Sequence, residues 1–298
     1  MEVAELVEDL KGRLRTLQTK VFPQQVLLEL HDTRVLGQTL LNGQAGPLAV
    51  DLPLPAKTCK SGLPIESEAL ADAIGELMLR EKLIDAHVMA ALPPEAVHWR
   101  VLDWNQPPAA EEAIATLRDL DPELGFPFPL SEASIDVRPL GASADKLLLA
   151  ATSRQVVDGW VEVFDQAGLN LERLAPPQSC RLAALGDELA AVPPEALVVV
   201  IAPQETRGRP FLALRAGIPL FERVLVEKGD QLVAEIQRCV TFLRREFADV
   251  HDLRLLLEGP MEEQSTLEAH LGQPMRALDV RPFGSLVMAG LAIPEPLL

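Results

Sequence analysis

The sequence predicts an α/β or α+β chain built in two halves, and three observations carry that reading. Strand-like and helix-like patterns alternate along nearly the whole length. A pair of apolar strand runs around a short turn opens the first half, 25–30 with 34–41, and a second pair follows in the other half, 210–216 with 218–226 around Ala216-Gly217. A proline-bearing break, 191–195, stands between the halves.

Taken in order, the first segment is a helix over 1–21. Val3, Val7, Leu10, Leu14, Leu17 and Val21 recur at steps of four and three and form one apolar stripe. Two roles stay open for it, docking on its own domain, or binding a partner or a second copy of itself; about three heptads rarely hold a coiled coil alone. The leucine-rich strand 25–30 and the strand 34–41 follow. A helix is expected over 67–81, with Leu70, Ile74, Leu77 and Met78 on one face and Glu66, Ser67 and Glu68 at its electropositive start. Residues 86–92 and 97–102 read as strands around Pro93-Pro94, 111–120 as a helix, 147–151 as a buried strand, and 155–166 as a helix ended by Gly168.

In the second half, 196–201 is valine rich and apolar throughout, as a central strand is. After the hairpin, Gly229-Asp230 precedes a long helix over 231–247 whose Leu232, Ile236, Cys239, Val240 and Leu243 face inward. A buried strand over 253–257, a helix over 265–271, a short strand over 276–278 and a closing helix over 284–291 complete the chain.

Composition narrows the function. The chain has 298 residues, 48% apolar and 24% charged, the balance of a folded protein with a sizeable core. A formal charge of −17 excludes a general nucleic-acid or anionic-membrane surface, leaving only local basic patches such as 238–245. Tyrosine is absent and aromatics are 4%, against a base-stacking platform. The start at Met1 lacks a signal-peptide pattern, and no run of about 20 apolar residues is present. Cys59, Cys180 and Cys239 are widely spaced and fit reduced thiols; no zinc-like spacing occurs and no metal is expected. No nucleophile elbow or phosphate loop of the G-x-x-x-x-G-K-[ST] kind is found. The acid pairs Glu111-Glu112 and Glu262-Glu263 read as solvated helix faces, and the five histidines as core or surface residues.

One stretch carries a family resemblance. It contains Phe126-Pro127-Phe128-Pro129-Leu130-Ser131-Glu132, then Asp136, Leu140-Gly141, Arg154, Val157-Asp158 and Ala167-Gly168-Leu169. In order and spacing it resembles the middle of the PilM family of type IV pilus assembly proteins, where a phrase close to IPFPLEE is followed by D-x-x-x-LG, R-x-x-V-D and AGL. The likeness extends over about 24–293. It implies the two-lobed actin-like fold, of the ASKHA or ribonuclease H-like kind, shared by the FtsA, PilM and GspL group. The lobes would be 22–83 with 174–194, closed by a C-terminal helix over 284–298, and 195–283. A small α/β subdomain would be inserted over 84–173.

The same resemblance implies a nucleotide site, and three departures argue against it. Where the family resembles GIDIGSSSVK, this chain has Leu28-Glu29-Leu30-His31-Asp32-Thr33-Arg34-Val35. Glu29 replaces the aspartate, and His31 stands where backbone must pass close to phosphate. Where the family has something like VDIGAETT, Val200 removes the carboxylate, Ala202 stands in the glycine's place, and Pro203 removes an amide. The adenosine loop, similar to TGGGA, is here Glu258-Gly259-Pro260. The expected site positions Glu29, His31, Thr33, Val200, Ala202, Pro203, Glu258 and Gly259 are therefore degenerate; no catalytic residue, ATP or Mg²⁺ is expected.

The implied function is a non-enzymatic scaffold that binds the cytoplasmic tail of a PilN-like inner-membrane protein between the first lobe and the insertion. A pilus assembly ATPase is a further implied partner, and the implied place is the cytoplasmic, inner face of the inner membrane, reached only through the partner. Trp99, Arg100 and Trp104 are the candidate partner-binding side chains, beside the alternative that the indoles belong to the core. Two other readings stand beside this one: a GspL-like component of type II secretion, whose usual membrane helix is not found before Leu298, and an active actin-like ATPase or kinase.

Overall fold

A computed structural model describes residues 24–104, 110–119, 124–140, 145–204, 208–259, 261–280 and 282–294. The expected helix over 1–21 lies outside them, as do the last four residues of the expected closing segment 284–298.

Strand β1 (Gln25–Leu30) turns at 31–33 into β2 (Arg34–Leu41), and β3 (Gln44–Pro53) continues the meander. Two short strands, β4 (Cys59–Lys60) and β5 (Leu63–Pro64), lead to helix α1 (Ser67–Arg80) and then β6 (His87–Ala91). Next come β7 (His98–Asp103), α2 (Ala110–Asp119), β8 (Ala133–Leu140), β9 (Lys146–Ser153), α3 (Arg154–Gln166) and β10 (Asn170–Ala175). Helices α4 (Pro177–Ala184) and α5 (Gly186–Ala190) link the halves. The second half is β11 (Leu197–Ile201), β12 (Arg209–Arg215), β13 (Ile218–Leu225), α6 (Gly229–Glu246), β14 (Leu253–Leu257), α7 (Met261–Leu271), β15 (Met275–Ala277) and α8 (Leu286–Leu291).

Two five-stranded sheets result, one per lobe, in the orders β10-β6-β1-β2-β3 and β13-β12-β11-β14-β15. Each is an antiparallel meander continued by two parallel strands: β1 pairs β2 antiparallel and β6 parallel, and β11 pairs β12 antiparallel and β14 parallel. The strands beginning at Gln25 and Leu197 thus lie in separate sheets, as a two-lobed chain requires. The register is set by burial. Val26, Leu28 and Leu30 pack with α1 and α3 residues on one face, including Ile74, Trp160 and Phe164, while Leu27 packs with Val287 and Leu291 of α8 on the other. β11 is buried on both faces, so it has no polar side: Val199 and Ile201 meet α6, while Val198 and Val200 meet Leu185 and Leu286.

The inserted region has a third sheet of its own, β7-β9-β8. Its edges are narrower than the span 84–173 that the sequence suggests. His87–Ala91 and Asn170–Ala175 pair with each other and with β1, so they are strands of the first lobe, and α3 packs into the first lobe's core. The separate sheet runs from 98 to 153. Trp160, fully buried, anchors α3 by donating its indole N–H to the Gly62 carbonyl at 2.9 Å.

Candidate functional site

Of the positions singled out in the sequence, Glu29, His31 and Glu258 meet at the junction of the lobes in a network of buried ionisable groups. Glu29 is the one acid on β1 and points to the face covered by α8. Its Oε1 lies 3.2 Å from His31 Nε2, and its Oε2 accepts the Ser285 hydroxyl at 2.5 Å. Ser285 is the N-cap of α8: its Oγ also accepts the Met288 amide at 3.0 Å, so one hydroxyl caps the closing helix and holds the buried acid. Burial alone pushes the Glu29 carboxyl up. The His31 hydrogen bond and charge, the Ser285 hydroxyl and the Arg181 charge outweigh that and hold it below the usual glutamate value.

Glu258, at the end of β14, supplies the second lobe's half. It is buried, its Oε1 accepts the Leu286 amide at 2.7 Å, and its Oε2 lies 3.8 Å from Arg181 Nε on α4. Two buried acids, one from each lobe, thus share the start of α8 and the cation on α4. The helices that carry these groups touch backbone to backbone. A Cβ built on Gly290 would lie 1.9 Å from the Cys180 carbonyl oxygen, so only glycine admits this approach. Beside that contact the Cys180 thiol is buried, and desolvation pushes it up to about 12, so it remains a protonated core thiol.

The other expected positions fall around this network. Val200 is 1% exposed and packs with Leu286. Ala202 is buried and donates its amide to the Pro210 carbonyl at 2.9 Å, while Pro203 follows it half-buried. Thr33 is exposed and its carbonyl accepts the Leu54 amide at 2.8 Å. Gly259 follows Glu258, whose amide donates to the Ile201 carbonyl at 2.9 Å. Even the Asp32 carboxylate of the first turn is engaged, accepting the Ser61 and Gly62 amides at 2.8 and 2.6 Å. The sequence reading missed Ser285 and Arg181. Each is distant in sequence from its acid, and no local pattern marks a partner 256 residues away.

A second site lies between the three-stranded sheet and the first lobe. Edge strands β8 and β10 frame a cavity of about 140 Å³ lined by Ser134, Asp136, Ala150, Thr152, Leu174 and others. The Thr152 Oγ is buried without a hydrogen-bond partner among the described residues. The Asp136 Oδ2 accepts Arg138 Nε and the Ser179 hydroxyl, both at a long 3.4 Å. Trp99 and Arg100 lie elsewhere. They line a wider cleft of about 540 Å³ between β7 and β13, where the Trp99 indole donates to Glu222 Oε2 at 2.5 Å and ties the insertion to the second lobe. Glu222 is an exposed residue, yet desolvation of its carboxyl against the indole raises its pKa, with Trp99 and Arg181 pulling partly back. Arg100 stacks over Phe126 at 5.3 Å and donates to the Trp99 carbonyl at 2.8 Å. Trp104, beyond the end of β7, donates its amide to the Asp145 carbonyl and does not line that cleft. Among the described residues no acid, histidine and thiol group is arranged to hold a metal, and no helix is long and apolar enough to cross a membrane.

The architecture has clear relatives among solved structures. A PilM-PilN type IV pilus biogenesis complex matches with a TM-score of 0.71 at 20% identity, covering 90% of this chain and 97% of that one. A Bacteroides thetaiotaomicron protein, described as having an actin-like ATPase fold and unknown function, matches with a TM-score of 0.57 at 8% identity over 92% of this chain and 97% of that one. The fold is actin-like. No protein-family model and no curated protein sequence matches the chain. In this actin-like frame the junction between lobes holds an internal ion network, and the smaller groove of about 140 Å³ lies beside the insertion on the first lobe's flank.

Proposed function

We propose that the chain is a non-enzymatic scaffold of type IV pilus assembly with a decayed ATP site. It works in the cytoplasm at the inner face of the inner membrane, where it holds the cytoplasmic tail of a PilN-like protein and, through that assembly, meets the pilus ATPase. The observation that carries this reading is the groove between β8 and β10. β8 and β10, which both contribute lining residues, are edge strands of their sheets, and an extended tail adds backbone hydrogen bonds to such an edge while setting alternate side chains into pockets. Thr152 offers an unpaired hydroxyl and Asp136 a weakly satisfied carboxylate, which suit a tail carrying a hydroxyl-seeking polar group and a basic residue. The overall charge of −17 steers such a cation inward and loses that advantage as salt rises. Support also comes from the likeness to the PilM-PilN complex and from the junction, where Glu29, His31 and Glu258 stand in place of a phosphate cradle.

The test is calorimetry with a synthetic PilN-type tail at low and high salt, repeated on Asp136→Asn. Binding that weakens with salt, and weakens further in the variant, is the expected result. No heat at low salt, together with pull-downs that lack pilus inner-membrane proteins, ends the pilus assignment and leaves the fold. For the decayed site, Mg-ATP is expected to leave the thermal midpoint unchanged, whereas a ligand at 100 times its Kd adds about 2.7 kcal/mol of stability. Saturable ATP binding at micromolar concentration overturns that half of the reading.

A further inference from the structure

The first lobe leaves three large apolar side chains in solvent at one end of its sheet. Leu41 is 60% exposed, Leu79 66% and Ile84 38%. They come from three elements: the last residue of β2, the last turn of α1, and the turn before β6. Strand register brings them to the place where the chain enters the sheet. Gln25 lies opposite Leu40 on one side and His87 on the other, and the Gln24 carbonyl accepts the His87 amide at 2.8 Å. Whatever precedes residue 24 therefore leaves the sheet between Leu41 and Ile84.

We propose that residues 1–21 cover this patch, laying the stripe of Val3, Val7, Leu10, Leu14, Leu17 and Val21 across Leu41, Leu79 and Ile84. The tether favours this occupant over any detached one. Val21 is three residues from Gln24, so the stripe is held beside the patch at an effective concentration that a separate partner must exceed. Charge argues the same way. Residues 1–21 carry four acids (Glu2, Glu5, Glu8, Asp9) and four bases (Lys11, Arg13, Arg15, Lys20), a net of zero. A lipid surface calls instead for an excess of bases on the polar face. The bases occupy the half nearer the lobe, and the exposed Asp85 lies at that end of the sheet, next to Glu81 and Glu172, which pair with Arg80 and His87. A single stretch of about three heptads also needs a packing surface to be helical at all.

The three native thiols are buried, so introduced cysteine pairs in the full chain report cleanly. Cysteines at Leu14, Leu17 or Val21, each combined with Leu79→Cys, are oxidised mildly and run on non-reducing gels. The expected result is an intramolecular link for at least one pair, and none when the partner is Val226→Cys, an exposed position on the second lobe. A link that appears only in dimers shows the stripe covering a second copy and overturns the proposal; so does the lack of any link. In parallel, Leu17→Asp and Leu79→Asp in the full chain each lower the thermal midpoint, and the double variant falls by clearly less than the sum of the two shifts. Additive shifts overturn the contact.

Discussion

In the first lobe, the strand leading to the junction carries Glu29 and ends in a three-residue turn, 31–33; in the second, the matching strand carries Val200, and residues 202–208 separate it from β12. The two sheets repeat one topology, so these positions occupy equivalent places. Glu29 lies opposite Ala91 of the neighbouring parallel strand, as Val200 lies opposite Leu256. One position was built polar and enclosed by His31, Ser285 and Arg181, the other apolar and enclosed by Leu286 and its neighbours. The difference teaches that a symmetric pair of strands does not dictate a symmetric cleft. What matters is which side of α8 each strand meets: its polar N-cap or its apolar face.

The strongest way to break this contrast is to force symmetry with Val200→Asp. The position is 1% exposed and its neighbours are leucines and valines, so an acid there lacks a cation and costs about 4 kcal/mol or more, read as a fall in the urea midpoint. Stability unchanged by this substitution would mean that the junction has room and a counter-charge for a second acid. Removing the shared cation comes next. Arg181→Met leaves Glu258 and Glu29 short of positive charge, and loss of one member of a buried pair costs about 3–5 kcal/mol. Gly290→Ala drives a methyl into the Cys180 backbone and is expected to cost about 1–3 kcal/mol, with the α4–α8 contact opening in a crystal structure.

Acid sharpens the comparison further. The folded Glu29 carboxyl titrates below its unfolded value, so its contribution is present above the unfolded pKa and is lost as pH falls through the folded one. Glu29→Gln is therefore expected to flatten the acid side of the stability profile, while Val200→Ile leaves that limb unchanged. An acid limb identical in Glu29→Gln and the parent would remove Glu29 from the account. The smallest effect is expected from Glu222→Gln. Its folded carboxyl titrates above the unfolded value, so the ionised group lowers stability as pH rises past that value. The amide still accepts the Trp99 indole, and the variant should be neutral or slightly stabilising at pH 7.

Much of this fold was legible because its strands are unusually apolar. Strands 25–30 and 34–41 stand out by leucine content and a short polar turn, and 197–201 by its unbroken aliphatics, since strands buried on their inner faces tolerate little else. β3 escaped notice because Gly46 and Pro47 interrupt it, although Leu48, Val50 and Leu52 alternate as a half-buried edge strand does. α4 went unpredicted, although Pro177 is at its first turn, where a missing amide costs nothing. The span of the insertion was drawn too wide for a topological reason. Strands β6 and β10 look like their neighbours in sequence, and only pairing with β1 assigns them to the first lobe. At the junction, Glu29, His31 and Glu258 were visible as departures from a nucleotide-binding pattern. Ser285 and Arg181 were not, because a buried ion network is a property of the assembled chain.

The bond from Ser285 to Glu29 spans 256 residues and closes a loop that contains almost the whole molecule. Until α8 is in place, β1 carries a buried-type acid with no hydroxyl to receive it, and the first lobe lacks the cover over Leu27. Such distant contacts form late, because the entropy of loop closure must be met before they reward the chain. On a ribosome the first lobe therefore waits, unfinished, through synthesis of the second. A nascent chain that terminates before residue 285 exposes the Leu27 face of β1 to chaperones and proteases, and completion of α8 is the event that retires it from their care.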